Sequence, residues 1–291
     1  MRFALCLLLI CALMLGVGYA EPFADAIPSD YYKPCDQKGT VVRVYYPSQD
    51  YLTGTGETTK WAVIYLPYGY DAESQYDVLV LCHGVGGTES EWGFEKTISI
   101  QRNMIDQLIA RGEIKPLIIV MPNGRSCAKV YDTSMANANA FYPFGQELRN
   151  DLLPWLDENY ATYGDDRDHR AMAGLSKGGM QTINIGLCEC PDLFGWFGAF
   201  SAAPSTYSAA EIAAKLNAFP DLPIHYFYSI CGTEDGLYFA GSGAAKEITQ
   251  YTDRFTEDNW HWQERAGGHD FNIWNLGLFN FVQVFVPTQA E

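Results

Sequence analysis

The stretch that decides the reading of this chain runs from Gly174 to Gly179, GLSKGG, and places Ser176 at the centre of a G-x-S-x-G motif. A short apolar run, 170–173 (RAMA), precedes it, and a helix-compatible run, 180–187 (MQTINIGL), follows. That is the context of a nucleophile elbow, a sharp strand-to-helix turn that lifts a serine hydroxyl out of the fold. The flanking glycines are required because a Cβ there would collide with the strand or helix packed beside it. Alone, the motif is a weak signal. It gains weight from a histidine-glycine loop upstream and from an acidic residue and a histidine downstream, in the chain order Ser, Asp, His.

Working outward, runs 77–82 (DVLVLC), 117–121 (LIIVM), 170–173 and 224–230 (IHYFYSI) are short and apolar, as expected of strands buried on both faces. Runs 41–46 and 61–66, separated by a Gly/Thr-rich turn over 53–59, read as an antiparallel hairpin at a sheet edge. Between the apolar runs lie helical patterns, such as 145–160 with Leu148, Leu152, Leu153, Trp155 and Leu156 on one side. Strands alternating with helices imply right-handed crossovers and a mostly parallel sheet covered on both faces. The sequence shows no internal repeat, low-complexity linker or appended module, so residues 21–291 read as one α/β catalytic domain.

The 291 residues are 48% hydrophobic and 14% aromatic, enough for one sizeable core. Residues 1–20 combine Arg2, an apolar run and small residues at Gly18 and Ala20, the pattern of a secretory signal cleaved after Ala20. The formal charge is -16, from 19 Lys+Arg against 35 Asp+Glu. Such a surface repels nucleic acid and anionic membrane and suits an exported protein acting on neutral substrates. Outside the signal the cysteines are Cys35, Cys82, Cys127, Cys188, Cys190 and Cys231, and their spacing matches no zinc pattern. Cys82 and Cys231 fall in apolar runs and read as buried thiols. An exported chain permits a bridge between Cys35 and Cys127, both in loop-like sequence. No feature calls for a metal or an organic cofactor.

The run 77–82 leads into His83-Gly84-Val85-Gly86-Gly87, a loop whose glycines let backbone N–H groups approach a developing oxyanion. The donor pair would be the amides of Val85 and Lys177, each worth roughly 3–4 kcal/mol to a transition state. The acid lies in the turn CGTEDG, 231–236, where Glu234 or Asp235 could orient an imidazole and Asp235 is preferred. Of the 5 histidines, His83 belongs to the glycine loop, His169 to a charged loop and His225 to a strand, while His261 sits between two tryptophans and packs or contacts a sugar. His269, in the loop Gly267-Gly268-His269-Asp270, is the base candidate, between a strand-like run 260–264 and a closing aromatic helix 271–285. Lys177 raises a Ser-Lys dyad as a rival. It is disfavoured because the side chain after an elbow serine normally points away from the hydroxyl and a histidine is available.

The stretches YLPYGYDAESQYDVLVLCHGVGG, IKPLIIVMPNG, HRAMAGLSKGGMQTINIGL, CGTED and GGHDFNIWNLGLFNF together resemble carbohydrate esterase family one, the feruloyl and acetylxylan esterases, within the esterase D-like α/β-hydrolases. The resemblance spans most of the chain from about Tyr65 onward. It implies an α/β-hydrolase fold, Ser176, Asp235 and His269 as triad, and Val85 and Lys177 as oxyanion donors. Chains of this kind usually carry methionine after the serine, where Lys177 stands here. A Cys35–Cys127 pairing is likewise similar to a feature of some secreted relatives. The implied substrate is feruloylated xylan, with Phe141, Tyr142, Tyr238, Phe239 and Trp274 as candidates for an aromatic slot. Acetylated xylan is the runner-up substrate. An S-formylglutathione hydrolase is disfavoured by the signal, and a non-catalytic carbohydrate-binding protein by the intact Ser, Asp, His order.

Overall fold

The sheet begins with the expected hairpin. In the computed structural model, which describes residues 23–288, β1 (Thr40–Gln49) and β2 (Glu57–Leu66) pair antiparallel along their whole length, from Thr40 opposite Leu66 to Gln49 opposite Glu57. The turn between them is therefore shorter than the 53–59 expected, because Glu57 to Thr59 already pair. The signal-like residues 1–20 lie outside the described residues.

After the hairpin the strands are β3 (Asp77–Cys82), β4 (Leu117–Pro122), β5 (Arg170–Leu175), β6 (Trp196–Phe200), β7 (Tyr226–Gly232) and β8 (Trp260–Arg265). Their spatial order is β1-β2-β4-β3-β5-β6-β7-β8, and every pairing from β4 to β8 is parallel. This is the α/β-hydrolase arrangement, a mostly parallel sheet with an antiparallel edge. The reversal of order between β3 and β4 and the parallel run across β5 gather the loops that follow the strands at one end of the sheet, where α/β folds present their chemistry.

Side-chain alternation builds a layer on each face. Val78, Val80, Cys82, Ile118, Val120 and Met172 point to one core, and Leu79, Leu81, Ile119, Ala171 and Ala173 to the other. The second core receives α1 (Ile100–Ala110). The first receives a continuous helical segment, α2 (Phe144–Glu147), a π-helical turn (Leu148–Leu152) and α3 (Leu153–Asn159). Next comes α4 (Lys177–Gln181), continued by a second π segment (Thr182–Leu187), then α5 (Ala209–Leu216) and α6 (Gly243–Glu247). The closing helix α7 (Phe271–Phe285) returns to the second core, beside α1.

Strand β6 was not among the expected strands. Its sequence, WFGAF, is five residues with a glycine at its middle, which reads as a break. The glycine is there because a Cβ on Gly198 would stand 2.9 Å from the Phe281 ring of α7 and 3.0 Å from the Ala173 Cβ. Aromatic packing against the sheet has taken the space of a side chain. His225 precedes β7, contrary to its expected place inside a strand; its Nε2 pairs with Asp168 Oδ1 at 2.6 Å and its ring stacks on Trp196. His261 packs, stacked on Phe23 with ring centroids 4.2 Å apart.

The Cys35–Cys127 bridge does not form, since neither residue is in a disulfide. Topology explains the correction. Cys35 precedes β1, whose first residue faces the end of β2 nearest the start of β4, whereas Cys127 follows the far end of β4. The two lie at opposite ends of the sheet. Cys35 Sγ instead donates to the Gln37 carbonyl, and Cys127 Sγ lies 3.7–3.8 Å from the Asn137 side chain.

A buried ion pair fastens the hairpin to the helical layer. Lys60 and Glu147 are both fully buried, with Nζ 2.8 Å from Oε2, and Glu147 Oε1 accepts from the Tyr46 hydroxyl at 2.6 Å. The lysine also donates to the carbonyls of Asn123 and Arg125, anchoring the loop after β4. Removing one partner of such a pair leaves a buried charge without compensation. Lys60→Met should therefore lower unfolding stability by about 3–5 kcal/mol, read from urea denaturation; a loss under about 1 kcal/mol would show that water reaches Glu147.

Candidate active site

Ser176 follows β5 and caps α4 with φ 52° and ψ -113°, a conformation rare for a residue with a side chain. Three backbone hydrogen bonds hold it there. Its N–H donates to the Phe200 carbonyl at 2.9 Å, and its own carbonyl accepts from Met180 and Ala203, each at 3.0 Å. The two motif glycines make the turn sterically feasible. A Cβ on Gly174 would stand 2.6 Å from the Gly178 carbonyl carbon, and one on Gly178 would stand 2.6 Å from the Cys82 carbonyl oxygen.

The histidine loop follows β8 and reaches across the end of the sheet. His269 Nε2 lies 3.0 Å from Ser176 Oγ, and its Nδ1 lies 2.8 Å from Asp235 Oδ2. In the tautomer this implies, Nδ1–H donates to the carboxylate and Nε2 accepts from the serine hydroxyl. The close approach again needs glycine: a Cβ on Gly232, in the acid turn, would stand 2.2 Å from the Gly267 carbonyl oxygen, and Gly267 itself has φ +150°. The edge-to-face ring of Trp274, 5.0 Å between centroids, backs the imidazole.

Of the two acid candidates the structure brings Asp235 to His269. Glu234 is exposed, whereas Asp235 is buried and aimed at His269. Burial opposes ionisation of Asp235, but the Leu237 amide donating to Oδ1 at 2.8 Å, then His269 and the Ser201 hydroxyl, hold its carboxyl below the ordinary value of 3.8. Ser201 follows β6, also with positive φ (49°), and is buried beside the acid. Its contribution could not be foreseen because β6 itself was not.

The glycine loop after β3 is braced from three sides. His83 is buried; its Nε2 accepts from the Gly124 amide at 3.0 Å, so Nδ1 carries the proton and donates to the Gly84 carbonyl at 2.7 Å. Burial pushes this imidazole down to about 3, so it stays neutral. The Gly84 carbonyl also accepts from Gly87 N–H at 3.1 Å. This carbonyl and the Val85 N–H belong to one planar peptide, so fixing the oxygen fixes the direction of the amide. Arg125, buried, donates to the carbonyls of Gly87, at 2.8 Å, and Val85. Glu91 accepts from the Gly84 amide at 2.6 Å, and burial raises its carboxyl. Among the described residues the amides of Val85 and Lys177 donate to no other group, as an oxyanion site requires. Neither Arg125 nor Glu91 was distinguishable by sequence from a surface charge.

The aromatic candidates divide. Phe141 is fully buried against Met180 and Ala203 and under the Arg125 guanidinium, so it supports the loop and does not wall a slot. The Tyr238 hydroxyl is taken by Glu264 and Lys246, and Phe239 beside it is almost wholly exposed. Trp274 stands against His269, and Tyr142, partly exposed, stands against Lys177. The Lys177 side chain turns to Tyr142 and Ser205, so no Ser-Lys dyad forms.

Residues 55–283 match the family whose description reads "Putative esterase". The chain belongs to this esterase family. It is 30% identical over 263 residues to endo-1,4-beta-xylanase Y of Acetivibrio thermocellus, covering 82% of this chain and 22% of that protein. It is 36% identical over 188 residues to an endo-1,4-beta-xylanase/feruloyl esterase of Xylanibacter ruminicola, covering 62% of this chain and 24% of that protein. The chain thus spans about a quarter of the length of these curated relatives. Among solved structures it shares the fold of a CE1 ferulic acid esterase from Anaeromyces mucronatus in complex with ferulic acid, with TM-score 0.69, 23% identity, and 90% of this chain and 96% of that one covered. This likeness shows the shared fold.

The depressed Asp235 carboxyl carries a pH signature. A group whose native pKa lies below its unfolded value stabilises the fold fully above the unfolded value and loses that contribution as pH falls through the native one. Stability of the parent protein should therefore fall more steeply than that of Asp235→Asn between about pH 5 and pH 2, measured by urea denaturation at stepped pH. Parallel curves would mean that Asp235 titrates normally in the native state.

Proposed function

We propose that the protein is an exported serine carboxylic-ester hydrolase that removes feruloyl groups from plant cell-wall xylan, with Ser176 as nucleophile, His269 as general base and acid, and Asp235 as orienting acid. The observation that carries the reading is the relay of 3.0 Å and 2.8 Å from an elbow serine through an imidazole to a buried carboxylate. Export is supported by the signal-like residues 1–20 and the acidic composition. The feruloyl acyl group is supported by the ferulic acid bound in the Anaeromyces mucronatus esterase and by the names of the curated relatives.

In this mechanism Ser176 Oγ attacks the ester carbonyl while its proton passes to His269 Nε2. The carbonyl oxygen becomes an oxyanion and accepts hydrogen bonds from the Val85 and Lys177 amides. Collapse of the tetrahedral species breaks the bond to the sugar oxygen, which takes the proton from His269 and leaves as the alcohol. Water enters, gives its proton to the same nitrogen, and attacks the acyl-enzyme. The second collapse returns the proton to Ser176 and releases the carboxylic acid. Asp235 stays ionised throughout and holds the imidazolium in register.

The test is hydrolysis of methyl ferulate and of acetylated xylan by the mature protein and by Ser176→Ala. Ferulate release should fall by roughly 10⁶-fold in the variant. Acetate release without ferulate would move the substrate to acetylxylan, and release from neither would leave a carbohydrate-binding role on an inactive scaffold.

A further inference from the structure

Lys177 presents a chemical problem that the hydrolytic mechanism leaves unused. The residue is 6% exposed, and its ammonium donates to Ser205 Oγ at 2.8 Å and to the Tyr142 hydroxyl at 3.1 Å, while lying 4.3 Å above the Tyr142 ring. Among the described residues no carboxylate pairs with it, whereas the other buried lysine, Lys60, faces Glu147. In a chain with 35 acidic residues, none of those described forms an ion pair with this cation. A buried charge without a counter-charge is unfavourable unless polar groups or a ligand compensate it. An ammonium has three N–H donors, and two are directed at the hydroxyls named.

The position of the cluster is fixed relative to the nucleophile. Lys177 directly follows Ser176, and the 203–207 segment that carries Ser205 is tied to the elbow helix. Ala203 N–H donates to the Ser176 carbonyl at 3.0 Å, Asn184 Nδ2 to the Ser205 carbonyl at 3.0 Å, and Tyr207 N–H to Asn184 Oδ1 at 2.9 Å. Tyr142 closes the other side, 45% exposed, so the cluster opens at a rim and is not sealed in the core. Hydrogen bonding by Ser205, then by Lys177, holds the Tyr142 phenol below its ordinary value.

We infer that Lys177, Tyr142 and Ser205 form a subsite for the phenolic oxygen at the far end of a hydroxycinnamoyl acyl group. The inference rests on the feruloyl reading above. A phenol oxygen accepts the remaining ammonium hydrogen, and the Tyr142 ring, already polarised by the cation, offers an edge or face to the aromatic acid. The subsite selects acyl groups by what they carry opposite the ester, while the triad treats all esters alike.

The experiment compares kcat/KM on methyl ferulate with that on methyl 3,4-dimethoxycinnamate, whose phenol is capped by a methyl group, in the parent protein, Lys177→Met, Lys177→Arg and Tyr142→Phe. Methionine keeps the length of the side chain and removes its charge. The parent should prefer the free phenol, and Lys177→Met should reduce the ratio of the two kcat/KM values by about tenfold, chiefly through KM, with Lys177→Arg retaining part of it. An unchanged ratio, or equal loss on both esters, overturns the subsite while leaving the esterase reading intact. A parent protein inactive on both cinnamoyl esters but active on acetylated xylan overturns the feruloyl reading, and the subsite falls with it.

Discussion

The close passage of Gly178 over the Cys82 carbonyl is the constraint on which the rest of the site depends. It lets α4 begin directly against the end of β3, so that Ser176 must turn through a left-handed conformation and project its hydroxyl from the sheet edge. Because α4 starts there, the Lys177 amide is the first unpaired donor of a helix, and because β3 ends there, the Val85 amide lies on the adjoining loop. One steric contact thus brings the Ser176 hydroxyl to the loops that carry the Val85 and Lys177 amides. The cost of holding a non-glycine residue in such a backbone state is of the order of 1–3 kcal/mol, and the three hydrogen bonds to Ser176 offset it.

Around that turn the buried charges serve geometry more than stability. Arg125 spends its guanidinium on two loop carbonyls, His83 is kept neutral so that it can donate to one side and accept from the other, and Lys60 anchors the strand and loop behind them. His83 fixes the peptide plane that carries the Val85 N–H, Arg125 fixes carbonyls of the same loop, and Lys60 fixes those of the loop after β4. Preorganised donors of this kind need no reorientation when charge develops, which is where most of the electrostatic benefit of an oxyanion site arises. Lys177 stands apart from this group, since its side chain turns to Tyr142 and Ser205.

What the sequence made legible follows from what each signal depends on. The elbow, the histidine loop and the acid turn could be read because glycine at Gly174, Gly178, Gly232 and Gly267 marks close approach, and close approach is local in sequence on at least one side. Buried parallel strands such as DVLVLC and LIIVM declare themselves by continuous apolar character. Strand β6 did not, because its central glycine answers to Phe281, more than eighty residues later. The same holds for Arg125, Glu91 and Ser201: their roles are set by which loop lies across from them, and nothing within a few residues reports that. The disulfide expectation failed for a related reason, since two loop cysteines in an exported chain can sit at opposite ends of a sheet. Phe141 shows the limit of proximity in sequence, for an aromatic one residue from the rim is fully buried while its neighbour Tyr142 is not.

The central claim is that Ser176 becomes covalently acylated, and acid-quenched trapping tests it most directly. The protein would be mixed with excess methyl ferulate, quenched within the first turnovers, digested and analysed by mass spectrometry. The account predicts a feruloyl adduct on the peptide containing Ser176, on the serine oxygen, that is absent when His269 is replaced by alanine. Hydrolysis proceeding with no adduct, or an adduct on Lys177, would contradict it.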